Sequence, residues 1–406
     1  MKIVAILESS ISAGGGFSQS LNAVLQMAKL CKNRFEFEVL TSRRESGACL
    51  AQLGIPAQHA SISLRDTLLM QWAPSPTWRA LQRRIRYLGP LERRLLGMGC
   101  DLAYFVAPSL LPAALQRLNF IATVWDLCHQ EFPEFPEVRS FGEIHARERM
   151  HRIVLPAALA VISDSAALAE RISRRYGVAS DRIIAMPFSP APLASATTRR
   201  SADAVLQKYS LRPGYFFYPA QFWAHKNHAR ILQAAEILWR ERAEIDVAFA
   251  GGDKGELANL RDMASRLGLH ECVRFLGFVP DEEMPALYEG CRAVVMPTYF
   301  GPTNLPPLEA WVAKRPLIYS RHLAGQAGDA ALLIDPDDAA SLAKAIRQCL
   351  NTEVASALVG RGSRRLAVIE AERAAAESVL GEALRRFGER RRCWTQEIAG
   401  RSRRLA

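Results

Sequence analysis

The sequence predicts an α/β protein of two doubly wound domains, each a parallel sheet with helices on both faces. Three observations predict it. Short apolar runs alternate with stretches of helical periodicity from the N-terminus onward. The alternation stops over 189–204, where Ser, Pro, Ala and Thr show no apolar period, and then restarts. A chain of 406 residues is long enough for two cores of ordinary size. The expected division is 1–188, a linker over 189–212, 213–370, and a helical, Arg-rich tail over 371–406.

Composition narrows the function classes. With 49% hydrophobic residues the chain is globular, and no run reaches the roughly 18 apolar residues that a bilayer span needs. Met1-Lys-Ile-Val-Ala-Ile-Leu7 is followed by Glu8 and a Gly-rich loop, so it reads as a first buried strand and not a signal peptide. The eight cysteines form no CxxC pair and have no His at metal-ligand spacing, which fits reduced thiols in a cytosolic protein. The formal charge is +11, and residues 385–406 alone hold eight Arg and two Glu, a local excess of +6. With Trp394, that tail suits an anionic lipid or nucleic acid, or simply a solvated helix face. No base-reading module accompanies it, so nucleic acid is not an expected partner.

In chain order, Lys2–Leu7 is the first strand. Gly14-Gly15-Gly16 opens a helix after it, an arrangement that suits a phosphate or a plain turn. The spacing is not GxGxxG, and no ribose-binding acid stands at the expected distance, so both observations speak against a dinucleotide fingerprint. Further strands are expected at Phe35–Leu40, Asp101–Val106, Phe120–Trp125, from Ala158, and at Arg182–Pro187. From Trp72 to Met98, Trp78, Leu81, Ile85 and Leu88 recur at helical spacing among many Arg. Such a helix lies on an anionic membrane surface or packs its stripe on the sheet, and both readings stand open. The strand ending at Trp125 delivers Asp126 and His129 to its carboxyl end, ahead of the proline-rich loop Glu131–Glu137, where ligands of open α/β sheets gather.

Beyond the linker, strands are expected at Tyr215–Pro219, at Ile245–Ala250 ending in Gly251-Gly252, at Val273–Gly277, Ala293–Met296 and Leu317–Ser320. Pro297-Thr-Tyr-Phe-Gly-Pro-Thr-Asn-Leu-Pro-Pro-Leu-Glu-Ala310 follows the fourth of these as a tight loop entering a helix. Gly301 allows close backbone approach, Thr303 and Asn304 are capping types, and Pro306 and Pro307 suit a first turn. A helix start there favours a phosphate, and an ordinary capped helix reads the same way.

These residues resemble the donor-binding domain of GT4-type retaining glycosyltransferases, whose GT-B fold is two Rossmann-like domains facing a cleft. The resemblance rests on Tyr218-Pro-Ala-Gln-Phe-Trp-Ala-His-Lys-Asn227, Gly251-Gly252, Phe275-Leu-Gly-Phe-Val-Pro280 and the segment ending at Glu309. Val124-Trp-Asp-Leu127 and Ser163-Asp-Ser165 support it in the first half. It implies that Glu309 grips the donor ribose and that Lys226 contacts the diphosphate. Gln221, Gly251, Gly252, Phe278, Gly301, Pro302, Thr303, Asn304 and Leu305 line the donor side; Gly14, Gly15, Gly16, Asp126 and His129 line the acceptor side. Catalytic roles fall to Asp126, Lys226 and Glu309.

Three positions depart from the family pattern. The first acid of its Glu-x7-Glu pair falls on Gly301, its Arg five residues before Lys226 is Gln221, and its His before Asp126 is Trp125. The Gly-Pro-Thr-Asn-Leu-Pro-Pro-Leu-Glu variant is similar to that of bacterial surface-polysaccharide glycosyltransferases. The implied reaction moves a sugar, of mannosyl or rhamnosyl type, from a nucleotide-sugar donor to a growing glycan or lipid-linked acceptor. Configuration is retained and no metal or other cofactor takes part. The implied location is the cytoplasm, peripheral on the inner membrane face. A catalytically silent nucleotide-sugar- or partner-binding protein is the alternative, motivated by Gly301 and Gln221.

Overall fold

The structure is a computed structural model and describes residues 1–11, 14–73, 75–190 and 201–394. The chain forms two compact units: Met1–Trp125, Glu148–Pro187 and Ala371–Ala406 make the first, and Asp126–Arg147 with Phe188–Glu370 the second.

The first unit is a seven-stranded parallel sheet in the order β3-β2-β1-β4-β5-β6-β7. Its strands are β1 (Lys2–Leu7), β2 (Glu36–Thr41), β3 (Ala57–His59), β4 (Leu102–Phe105), β5 (Asn119–Val124), β6 (Ala160–Ser163) and β7 (Ile183–Ala185). Parallel strands covered on both faces are apolar throughout, and β1 shows why. Ile3, Ala5 and Leu7 bury beside Phe17, Leu21, Val24 and Met27 of the helix Gly15–Cys31, while Val4 and Ile6 bury as well.

The second unit is a six-stranded parallel sheet in the order β10-β9-β8-β11-β12-β13. It comprises β8 (Phe216–Pro219), β9 (Val247–Ala250), β10 (Val273–Gly277), β11 (Ala293–Met296), β12 (Leu317–Ser320) and β13 (Leu332–Ile334). β9, β11 and β12 are buried at every residue. Both sheets are doubly wound, as expected. The sequence reading lacks β3 and β13, three-residue edge strands too short to carry a period.

Two stretches differ from expectation. The basic amphipathic stretch Trp72–Met98 is not one helix: helices span Leu64–Trp72, Pro76–Ile85 and Pro90–Gly97. Proline fits a first turn but not a helix interior, so Pro76 and Pro90 each begin a helix, and Arg86 ends the middle one with φ 51°. Part of the expected linker, 191–200, lies outside the described residues, and a helix, Ala202–Lys208, follows it. Its Val205 and Leu206 are buried in the second core.

The helix Thr352–Arg391 contributes to both cores, Leu358 and Ile369 to the second and Ala376, Leu380, Leu384 and Phe387 to the first. Several of its terminal charges are paired: Arg385 and Arg386 with Glu382, and Arg391 with Asp101 at 3.4 Å. Trp394 packs against the first core beside Phe387. The rest of the tail, 395–406, lies outside the described residues.

Candidate active site

In the second sheet the strand order reverses between β8 and β11, and ligands of open α/β sheets bind beyond the carboxyl ends of strands at such a point. The segments leaving β8 and β11 are Ala220–Lys226 and Pro297–Asn304, and they are bound to each other. The His225 carbonyl accepts from Tyr299 N at 2.9 Å and from Thr298 Oγ1 at 3.3 Å. Asn227, in the left-handed conformation at φ 58°, donates from Nδ2 to the carbonyls of Pro297 (3.1 Å) and Pro336 (2.8 Å). Tyr218 Oη donates to the Lys226 carbonyl at 2.9 Å. The backbone bearing Lys226 is therefore fixed from several sides.

The glycine turn after β9 packs on the same strand end. Phe222 N donates to the Gly252 carbonyl at 3.0 Å and Gly251 N to that of Gly277 at 2.8 Å. A Cβ on Gly251 would collide with the Ala220 carbonyl and lie 2.7 Å from Gln221 N, so only glycine lets these backbones meet. Phe278, after β10, is 66% exposed, an aromatic face held open to solvent at a strand end.

Asn304 is the N-cap of the helix Leu305–Val312, but its side chain makes no cap bond. It donates instead to the Gly301 carbonyl (3.0 Å) and to Tyr319 Oη (2.7 Å). Of the four amide donors a helix start leaves free, Pro306 and Pro307 have none and Asn304 gives its own to Gln326 Oε1 at 2.9 Å. That leaves the amide of buried Leu305, so this helix start offers an anion mainly its dipole.

Gly301 sits at φ 91°, and a Cβ there would meet the Asn304 side-chain amide at 2.9–3.2 Å. Gly301→Glu would restore the family's usual acid at a strained position. We expect it to cost about 1–3 kcal/mol, read as a lowered Tm, without any gain in glycosyl transfer. A gain in turnover would contradict this account of the loop. Pro302 and Thr303 are half-buried between Gly301 and the helix.

Two ionisable groups are held away from their ordinary behaviour. Burial pushes the Glu309 carboxyl up to about 7, with the Tyr288 hydroxyl that donates to it pulling the other way and Asp281 adding to the rise. Burial brings the Lys226 ammonium down to about 8, while Cys128, Asp126 and Glu137 oppose that. No carboxylate pairs with the Lys226 ammonium among the described residues. Gln221 is nearby in sequence and accepts from Trp223 Nε1 at 3.1 Å.

Asp126 belongs to this unit through the segment Asp126–Arg147. Its carboxylate accepts from Cys128 N at 3.0 Å and lies 3.6 Å from the Arg147 guanidinium. His129, in the helical turn Cys128–Glu131, is 1% exposed. It is therefore shut away from solvent, unlike Asp126.

Gly14–Gly16 belong to the first unit. Gly14 caps the helix Gly15–Cys31 at φ 59°, and Gly16 lies against the Trp125 ring, which a Cβ would touch at 3.5 Å. Ser12 and Ala13 of the same loop lie outside the described residues. Glu8, at the end of β1, is raised to about 7 by burial while a bond with Ser109 lowers it. Glu8, Glu137, Arg147, His225 and Tyr288 are not among the residues that the sequence singles out. Only Glu8, directly after a strand, and His225, beside Lys226, carry a local signal.

The glycosyl transferases group 1 family matches residues 206–366. O-antigen chain mannosyltransferase B of Escherichia coli is 28% identical over 258 residues, 62% of this chain and 66% of that relative. D-inositol 3-phosphate glycosyltransferase of Corynebacterium jeikeium (strain K411) is 33% identical over 121 residues, 28% of this chain and 29% of that relative. Among solved structures, Anabaena Alr3699/HepE in complex with UDP-glucose superposes with a TM-score of 0.70 at 17% identity, covering 94% of this chain and 100% of that one. WaaG, a glycosyltransferase involved in lipopolysaccharide biosynthesis, gives 0.64 at 12% identity, covering 93% and 99%. Residues 206–366 thus match the group 1 glycosyltransferase family, and the chain as a whole shares the GT-B fold of these solved structures.

Proposed function

We propose that the protein transfers a hexose, mannose in the first instance, from a nucleotide-diphosphate sugar to a growing surface glycan or a lipid-linked acceptor, with retention of anomeric configuration. The observation that carries this is the Lys226 ammonium, unpaired by any described carboxylate and set on the fixed backbone where the segments leaving β8 and β11 meet. Breaking the anomeric C–O bond puts negative charge on the departing diphosphate, and a cation already in place stabilises that charge without reorganisation. Glu309 takes the ribose hydroxyls, and Phe278 offers its ring to the base. The amide of Gln221 is a neutral donor where the family has Arg. Asp126 serves the acceptor. Mannose is favoured because O-antigen chain mannosyltransferases B and C and a serotype-specific mannosyltransferase of Escherichia coli all align with this chain.

Calorimetric titration with GDP, UDP and dTDP tests the donor site and identifies the base. Micromolar binding of one diphosphate, abolished by excess of its sugar form, is expected; no binding of any would overturn the reading.

The acceptor end of the proposal includes a membrane surface. In the first unit Leu64 (84%), Leu68 (47%), Trp72 (51%), Leu81 (45%) and Ile85 (52%) are exposed on the helices Leu64–Trp72 and Pro76–Ile85. Arg84 and Arg86, at the end of the second of these helices, are exposed too. Apolar side chains left in water beside cations suit the boundary of an anionic bilayer. Sedimentation with vesicles containing phosphatidylglycerol should retain the protein, and raising the salt should release it, since the Debye length shrinks to about 3 Å at 1 M. Equal binding to neutral vesicles at all salt concentrations would contradict the electrostatic part. No helix among the described residues is long and apolar enough to cross a membrane.

A further inference from the structure

The proline-rich segment after Asp126 attracts attention in the sequence only for its irregularity, yet it reaches the backbone that bears Lys226. Glu137, in the short helix Pro136–Arg139, accepts a hydrogen bond from His225 N at 2.9 Å and pairs with Nδ1 of the same residue through the same oxygen. Both side chains are nearly out of water, Glu137 at 9% and His225 at 12%. Burial pushes the Glu137 carboxyl up, but the bonds from the ring and backbone of His225 outweigh it and hold the carboxyl below its ordinary value. Burial brings the His225 imidazole down to about 4, against the pull of Glu137. At neutral pH the pair is thus a carboxylate accepting from a neutral imidazole.

His225 connects in turn to both parts of the donor site. Its ring stacks on Phe300, with centroids 4.3 Å apart and planes 13° from parallel, directly before Gly301. Its carbonyl holds Tyr299 N, as above, and its peptide leads straight into Lys226. Phe135, two residues before Glu137, packs on the same loop, 5.0 Å from Phe300 and 5.2 Å from Tyr299. Phe132 lies 5.4 Å from Phe300.

We infer that Glu137 is a positioning residue for the donor diphosphate: by clamping His225 it sets both the Lys226 ammonium and the Phe300–Gly301 loop. It touches no reacting atom. A carboxylate buried here has two donors on one residue to satisfy it, and without it the His225 amide and ring N–H lose their acceptor in a nearly dry site. The inference rests on the donor-site reading of Lys226, so its test separates the two.

Glu137→Ala and Glu137→Gln are compared with the wild type in binding of inorganic pyrophosphate, of the cognate nucleoside diphosphate and of the nucleoside alone. Glu137→Ala should weaken both diphosphates about tenfold or more while leaving nucleoside affinity within twofold, with a thermal transition that is lowered but still single and cooperative. Glu137→Gln, which keeps an acceptor oxygen for His225, should restore most of the loss. A general structural defect would instead weaken the nucleoside equally and resist rescue by glutamine. Sugar turnover is measured alongside. Turnover with unchanged pyrophosphate affinity in Glu137→Ala overturns the positioning role and leaves the glycosyltransferase reading standing. A diphosphate-selective loss supports the positioning role even if no sugar is transferred. Absence of any diphosphate binding in the wild type overturns both.

Discussion

Lys226→Ala lowers kcat/KM for the sugar donor by about a hundred- to a thousand-fold, the effect of removing one preorganised group that meets charge as it develops. The size of the effect is set by what else is available to the leaving diphosphate. The family's Arg is Gln221 here, and the helix Leu305–Val312 begins with Pro306 and Pro307 in its first turn, so it brings a dipole but few amide donors. If the diphosphate departs there as proposed, Lys226 carries a larger share of the compensation than it would beside an arginine. Most of the loss should fall on kcat, because the charge it answers is greatest in the transition state. Steady-state kinetics over a range of donor concentrations measures this. Lys226→Arg should restore only part of the loss, since a planar guanidinium presents its donors in a different geometry from a compact ammonium.

The second large effect is a bell-shaped dependence of kcat/KM on pH, with limbs set by Glu309 and Lys226. The Glu309 carboxyl must lose its proton to accept both ribose hydroxyls, so donor capture rises as pH passes through about 7. The Lys226 ammonium must keep its proton to meet the phosphates, so capture falls as pH passes through about 8. The profile in kcat/KM reports the free enzyme, where these values apply. Glu309→Gln should flatten the rising limb and raise donor KM roughly ten- to a hundred-fold, the worth of about 1.5–3 kcal/mol for a hydrogen bond to a charged group. The same shifts affect stability with opposite signs. A raised carboxyl means the folded state holds the extra proton, so stability falls as pH rises from the ordinary glutamate value to about 7. A depressed ammonium means the unfolded state holds it, so stability rises above about pH 8.

Much of this was legible in the sequence, and the physical reasons are local. β8, β9, β11 and β12 are apolar at nearly every residue, as parallel strands covered on both faces must be, and the glycine turn at Gly251 follows directly from one of them. The loop from Pro297 to Asn304 announced itself through its prolines and glycine. What was hidden depended on distance or on brevity. Glu137 meets His225 across 88 residues, and no pattern in either neighbourhood encodes that contact. β3 and β13 are three residues each, too short for any period. The Arg-rich stretch from Trp72 misled because periodicity was read across Pro76 and Gly89-Pro90, where local chain chemistry starts new helices. Asn304 was the right residue at the N-cap position with an unforeseen task, since its amide is drawn to Gly301 and Tyr319 and not to the helix.

The central claim is that the segments leaving β8 and β11 hold a sugar nucleotide whose diphosphate departs against Lys226. Incubating the protein with a nucleotide-diphosphate mannose, labelled at the anomeric carbon, and a lipid-linked glycan acceptor tests it most directly. The account predicts release of one nucleoside diphosphate per sugar transferred, an NMR signal for the new linkage with the donor's anomeric configuration, and loss of both in Lys226→Ala. Inverted configuration, or tight donor binding with no transfer to any acceptor and no change in Lys226→Ala, would contradict it.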